Sequence, residues 1–234
     1  MQKIGRVTAM NNLVIDQNEV LRYLGCSRQW LDSSLGKLIA QCIDEAKTLI
    51  QPRMVYKFFN LDRAAGELLL RGTSVKLPGG GIADHMAEAE ACIVMAVTLG
   101  LAVDRKISCY EKVDLTRAVI LDACASAAVE QAADSLCAEI EAKLKLENKQ
   151  LTTRFSPGYA DFPLTIQRQL LALLNAERTI GLTVTSHNIL LPRKSITAVA
   201  GVIGLRQSKG ETICADCSQF GDCQFRKERK TNGR

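Results

Sequence analysis

The order and patterning of this 234-residue chain predict an α+β domain, with a mixed or antiparallel sheet packed against long helices. Three stretches carry that prediction. Ala91 to Thr98 is an uninterrupted apolar run of strand length, as expected for a central strand covered on both faces. Asp114 to about Leu146 is a long helix, with Asp114 as its N-cap and Leu115, Val119, Leu121, Ala125, Val129, Ala132, Leu136, Ile140 and Leu144 as its apolar stripe. Between the N-terminal helical patterns and these stretches lie two further strand-like segments, so helix and sheet share one core. A chain of this length can bury a large one.

Taken in order, Asp16 caps a short helix that ends at Gly25. A longer helix follows from Ser27 or Asp32 to Leu49, where Leu31, Leu35, Leu38, Ile39, Cys42, Ile43, Ala46 and Leu49 recur at helical spacing before Pro52. Met54 to Phe59 and Glu67 to Leu70 read as strands, with Gly72 turning into an extended piece at Val75 to Leu77. Pro78-Gly79-Gly80-Gly81 exposes backbone N–H groups but lacks a Gly-Lys-Ser/Thr ending, which favours a flexible turn over a phosphate loop. The spacing predicts helices over Asp84 to Glu90, Leu101 to Tyr110 and Leu164 to Asn175. It predicts strands over Thr179 to Val184, Ile189 to Leu191 and Ile196 to Leu205. The organisation is a helical segment at 1–50, an α+β body at 51–208, and a cysteine cluster with a basic tail at 209–234.

Charge argues against a nucleic-acid protein. The formal net charge is +5, yet Phe225 to Arg234 holds five Lys or Arg against one acid, so the body is nearly neutral. No apolar run is long enough to span a bilayer, and Met1 to Arg6 has no hydrophobic signal core, which predicts a cytoplasmic protein. The nine cysteines are then not a disulfide framework. Cys42, Cys92, Cys124 and Cys137 read as small core residues, while Cys26 and Cys109 fit either core or surface. His85 and His187 have no partner at ligand spacing and read as structural or solvent-facing.

The densest chemistry lies in Arg154-Phe155-Ser156-Pro157-Gly158-Tyr159-Ala160-Asp161-Phe162-Pro163. Pro157 restrains itself and Ser156, and Gly158 permits a positive φ or a close approach, so the segment forms a rigid, exposed turn. A turn presenting one guanidinium and one phenol suits a small molecule with a carboxylate and a flat ring. It is equally a proline-rich connection in which Arg154 is merely solvated.

The pattern R-x-x-P-G-Y-x-x-x-P is followed by a helix carrying Leu170, Leu171, Leu173 and Leu174, then by Ile180-Gly181-Leu182-Thr183-Val184-Thr185 and Leu191-Pro192-Arg193-Lys194-Ser195-Ile196. In order and spacing, from about Leu115 to Gly204, this resembles the activation domain of cobalamin-dependent methionine synthase. The resemblance implies that the turn binds S-adenosylmethionine. Arg154 would grip the carboxylate, Ser156 and Gly158 would offer backbone contacts, and Tyr159 would pack on the ligand. Glu130, otherwise an ordinary helical glutamate, would balance the ligand's positive charge. Where the family commonly shows Leu-Thr-Glu-Ser, this chain has Val184-Thr185-Ser186-His187, so a role for that glutamate does not transfer.

Cys214, Cys217 and Cys223 form C-x-x-C-x-x-x-x-x-C, small-residue spacing that can converge on zinc or an iron–sulfur cluster, and equally suits redox thiols or unliganded cysteines. The resembling domains lack this cluster. The resemblance implies a free-standing activation protein that supports reductive methylation of cobalamin on a separate corrinoid methyltransferase such as methionine synthase. In that setting an iron–sulfur centre could relay the electron. Two other readings stand beside it: an S-adenosylmethionine-binding regulatory module without methyl transfer, and a metal-stabilised adaptor resting on the cysteines and basic tail.

Overall fold

A computed structural model describes residues 4–8, 13–26, 32–64 and 66–205. Strand β1 (Ile4–Thr8) is followed by helices α1 (Gln17–Tyr23) and α2 (Ser33–Leu49), then strands β2 (Arg53–Ala64) and β3 (Glu67–Leu70). Next come α3 (Gly80–His85), β4 (Ala91–Thr98), α4 (Leu101–Tyr110), the 31-residue α5 (Leu115–Lys145) and β5 (Lys149–Leu151). After a 3-10 turn at Leu164–Ile166 the chain forms α6 (Gln167–Leu174), α7 (Ala176–Ile180), the hairpin β6 (Thr183–Val184) and β7 (Leu190–Leu191), and finally β8 (Ser195–Gly204).

The main sheet runs β1-β2-β4-β8-β5, with β3 paired to β2. Every pairing is antiparallel. The fold class is therefore α+β, with an antiparallel sheet among the described residues. Strand β4 explains its own sequence. Ile93, Met95 and Val97 belong to the core beneath α1, α2, α4 and α5, whereas Cys92, Val94 and Ala96 belong to the core beneath α3, α6 and α7. Successive side chains point to opposite faces and both faces are covered, so alternation gives way to a continuous apolar run.

Side-chain caps set the three helix starts that their local sequence announces. Asp16 accepts from Asn18 N–H at 2.8 Å, Asp32 from Leu35 N–H at 2.7 Å and Asp114 from Arg117 N–H at 3.0 Å. Helix α5 extends about 46 Å at ~1.5 Å per residue and contacts α1, α2 and α4. Its alanine-rich middle is wholly buried at Ala123, Ala125, Ala127, Ala128, Ala132 and Ala133, which lets the sheet and α1 approach closely.

Several expectations differ from the structure. Leu115 and Val119 are 67% and 51% exposed, because the first turns of α5 bury Ala118, Ile120 and Leu121 instead. The helix expected from Asp84 to Glu90 starts at Gly80 and ends at His85, since its cap comes from Asp161, 80 residues away in the chain. The strand expected over Thr179 to Val184 is helical through Ile180, where Gly181 (φ 70°) closes α7, and only Thr183–Val184 is extended. Strands β1 and β5 were not expected at all.

Candidate functional site

The stretch Thr152 to Pro163 leaves β5 and stays beside β8. Thr152 N–H donates to Gly201 C=O at 2.8 Å, and Thr152 Oγ1 accepts from Gly201 N–H at 2.8 Å. Phe155 and Val199 exchange both backbone hydrogen bonds at 2.8 and 2.9 Å. This pairing brings the chain close over Gly201, where an added Cβ would lie 2.8 Å from Ala89 Cβ. Beyond Phe155 the backbone folds into a closed turn. Tyr159 N–H donates to Ser156 C=O, Phe162 N–H to Tyr159 C=O, and Gly158 N–H to Phe162 C=O at 2.7 Å. Gly158 has φ 96°, which L side chains rarely adopt, so the turn needs glycine there. The fully buried Phe162 ring anchors it, with Phe155 packed between the rings of His85, Tyr159 and Phe162.

Asp161 connects this turn to the glycines. Its carboxylate accepts from Gly80 N–H at 2.6 Å and Gly81 N–H at 3.0 Å, and these bonds hold its pKa below the ordinary carboxylate value. The N–H groups of Gly80 and Gly81 do face an anion, but it is the chain's own. His85 is structural as well: its Nε2 lies 2.8 Å from Thr153 C=O and 3.1 Å from Thr152 Oγ1.

Arg154 does not stand free on an exposed turn. Its side chain is 15% exposed, and Nη2 donates to Glu130 Oε2 at 2.8 Å and Asp134 Oδ1 at 2.6 Å. Burial disfavours the guanidinium's charge, but the carboxylates of Glu130 and Asp134 outweigh that and raise its pKa further. Glu130 and Asp134 are one helical turn apart on α5 and so share a face. The three groups sum to one negative charge.

Above this cluster lies a groove of about 350 Å³. Glu130 forms part of one wall, Ser156, Pro157 and Tyr159 of the turn form another, and Arg193 and Ser195 at the start of β8 close it. Four expected features therefore converge: Arg154 through its pairing with Glu130, Glu130 itself, Ser156 and the 46%-exposed Tyr159. Gly158 shapes the turn that carries two of them. A second groove of about 290 Å³, between α1, α4 and α5, contains none of these residues.

Three further residues shape the site without having been assigned to it. Asp134 takes half of Arg154's pairing; its i+4 spacing from Glu130 was the available signal. Buried Gln167 donates to Asn188 C=O at 3.0 Å and accepts from Thr197 Oγ1 at 3.4 Å, fixing the floor between α6 and β8. Arg193 is held by its backbone N–H, which donates to Asp104 Oδ2 at 2.5 Å, and its side chain lines the groove. His187 is exposed in the β6–β7 hairpin, away from these contacts.

Cys214, Cys217 and Cys223 lie outside the described residues, as does the basic tail. Among the described residues no group of three or more His, Cys, Asp or Glu is placed to hold a metal ion. Cys42, Cys92 and Cys124 are buried, Cys137 is half-buried, and Cys26 and Cys109 are exposed. No described helix is long and apolar enough to cross a membrane.

A family model described as vitamin B12 dependent methionine synthase, activation domain, matches residues 75–209, which include the whole groove. Among solved structures, the MetH reactivation domain bound to AdoHcy aligns with a TM-score of 0.65 and 19% identity, over 91% of this chain and 81% of that one. That likeness is one of fold. No curated protein sequence matches the chain.

Proposed function

We propose that this chain, which belongs to the vitamin B12 dependent methionine synthase activation-domain family, binds S-adenosylmethionine in the groove beside the Arg154–Pro163 turn. There it supports reductive methylation of cobalamin carried by a methyltransferase. The observation behind this reading is the convergence, on one groove of about 350 Å³, of Glu130, Ser156 and Tyr159 over the Arg154 ion pair. That volume falls within the ~300–1,000 Å³ of small-molecule sites.

The residues divide the ligand between them. The Glu130 carboxylate, with Asp134 behind it, faces the ammonium and sulfonium charges. Tyr159 offers a ring face and Ser156 a hydroxyl and backbone groups. Arg154 and the rigid turn keep these groups in register. None acts as a general acid or base; the protein's work is to orient the methyl group and exclude water. Cobalamin supplies the cobalt that accepts the methyl group once an external donor has added one electron. Cys214, Cys217 and Cys223 belong to this proposal as ligands that would hold zinc or an iron–sulfur cluster; the cluster would relay that electron, whereas zinc, which has no redox chemistry, would serve structure alone.

The test is calorimetric titration with S-adenosylmethionine, followed by methyl transfer to reduced cobalamin on the methyltransferase. Saturable binding is expected. Glu130→Gln should weaken it by about 1.5–3 kcal/mol, the loss typical of a charged hydrogen bond. Absence of binding at millimolar ligand would overturn the proposal.

A further inference from the structure

We propose that the groove of about 290 Å³ between α1, α4 and α5 is the docking site of this chain's own Phe225–Lys230 segment, which lies outside the described residues. Leu24, Ile107, Ala118 and Ala123 give the groove apolar walls, and Leu115 and Val119 add exposed apolar surface along α5. Both of these belong to the apolar stripe of the helix, yet no described residue covers them. A contiguous exposed apolar surface of this kind marks an interaction site.

Charge selects the occupant. The charged residues lining the groove are both acids, Glu111 and Asp122, and the Glu111 carboxylate has no hydrogen-bond or ion-pair partner among the described residues. The acidic surface continues along the helix. From Ala118 to Ala142, α5 carries Asp122, Glu130, Asp134, Glu139 and Glu141 and no Lys or Arg. Lys194, Arg154 and Lys143 answer only part of that charge. Phe225-Arg226-Lys227-Glu228-Arg229-Lys230 is the complement: an aromatic anchor for the apolar slot, then four bases against one acid for its rim.

The exit of the chain fits this path. Leu205 N–H donates to Asn148 C=O at 2.8 Å, so the chain leaves β8 beside the C-terminal end of α5. From Lys145 back to Val119 the helix spans about 39 Å at ~1.5 Å per residue. Phe225 lies 20 residues beyond Leu205, a span of up to ~66 Å when extended. The reach is sufficient, and a tethered segment meets its groove at an effective concentration on the order of millimolar, so a shallow site serves. A segment held at Leu205 and at the groove carries Cys214, Cys217 and Cys223 along α5, past Glu130 and Asp134. With the S-adenosylmethionine site proposed above, this sets the three thiols beside the ligand groove; the docking itself does not depend on that site.

The probe is zero-length carbodiimide cross-linking of the full-length protein, which joins a lysine to a carboxylate in contact with it. The exposed Lys76–Glu67 pair, at 2.7 Å, is the internal control for folding and reaction. Wild-type protein should also join Lys227 or Lys230 to Glu111 or Asp122 within one chain, at a yield independent of protein concentration. Phe225→Ser and Val119→Lys should each cut that yield about tenfold, as expected when a buried aromatic anchor or its wall is lost, and leave the Lys76–Glu67 link unchanged. The docking is overturned if the tail link is absent while the control forms, or if both variants keep it in full. A link confined to dimers, rising with concentration, overturns it in favour of a second copy in the groove. S-adenosylmethionine titrated into the same samples separates the two readings. A cross-linked protein that binds no ligand overturns the ligand site and leaves the docking standing, whereas binding without the link overturns the docking alone.

Discussion

Gly201 tests the close approach that delivers the Arg154 turn. Replacing it with alanine adds a Cβ 2.8 Å from Ala89 Cβ, 3.0 Å from Met86 Sδ and 3.2 Å from Thr152 Cγ2. Favourable carbon contacts lie at ~3.5–4.0 Å, so the new atom overlaps Ala89 by about 0.7 Å or more. The Met86 sulfur can swing away, but Ala89 Cβ moves only with its backbone. Nor can β8 slide freely, because Gly201 is hydrogen-bonded to Thr152 on both sides. Gly204→Ala is the control: it lies on the same strand without positive φ, and nothing stands within 4 Å of its added Cβ. Both substitutions restrict the unfolded chain to the same degree, so that contribution cancels in the difference. What remains is overpacking, about 1–3 kcal/mol. At ~2–4 °C per kcal/mol for a chain of this size, Gly201→Ala should melt about 2–12 °C below Gly204→Ala. Urea unfolding should show the same gap in midpoint at equal slope. If the two variants unfold within about 0.5 kcal/mol of each other, the described packing of β8 against Ala89 and Thr152 is wrong.

The buried thiols predict a labelling order. Burial pushes Cys92 and Cys124 up to about 12 and Cys137 up to about 11, so among the described cysteines of the native protein at pH 8 an alkylating reagent should modify Cys26 and Cys109 before these three, as peptide mapping will show. The folded pKa values of Cys92 and Cys124 exceed the unfolded 9.0, so the stability these two contribute is complete below pH 9 and declines between 9 and about 12, measurable as a falling urea midpoint. Asp161→Asn should loosen the start of α3, with faster amide exchange at Gly80 and Gly81. Because the Asp161 pKa is lowered on folding, its contribution is present above the unfolded value of 3.8 and lost as pH falls through the folded one, so the protection of those two amides relative to their intrinsic exchange rates should fall in the wild type under acid. Anaerobically purified protein should carry iron or zinc that is lost in Cys214→Ser, Cys217→Ser and Cys223→Ser variants, by elemental analysis; protein without iron would remove the relay from the proposal, and protein without either metal would remove the metal site as well.

Periodicity and short-range caps were enough to place most of the framework. Asp16, Asp32 and Asp114 bond N–H groups two or three residues away, so their helix starts are local events that a sequence displays directly. The apolar run in β4 and the 3.6-residue stripe of α5 record burial that the final fold then supplies. The Arg154–Pro163 turn was legible for the same reason, since its hydrogen bonds close within seven residues from Ser156 to Phe162. Tertiary structure decided whatever depends on partners distant in the chain. α3 begins at Gly80 because a carboxylate 81 residues later accepts its N–H. β5 is extended because Gly204 and Val202 lie beside it, not because Lys149-Gln150-Leu151 favours a strand. Above all, the state of Arg154 follows from charges on another element: α5 places Glu130 and Asp134 against it. A sequence records which side chains carry charge, but how strongly one charge neutralises another depends on their separation in space and on the dielectric between them, and folding alone sets those.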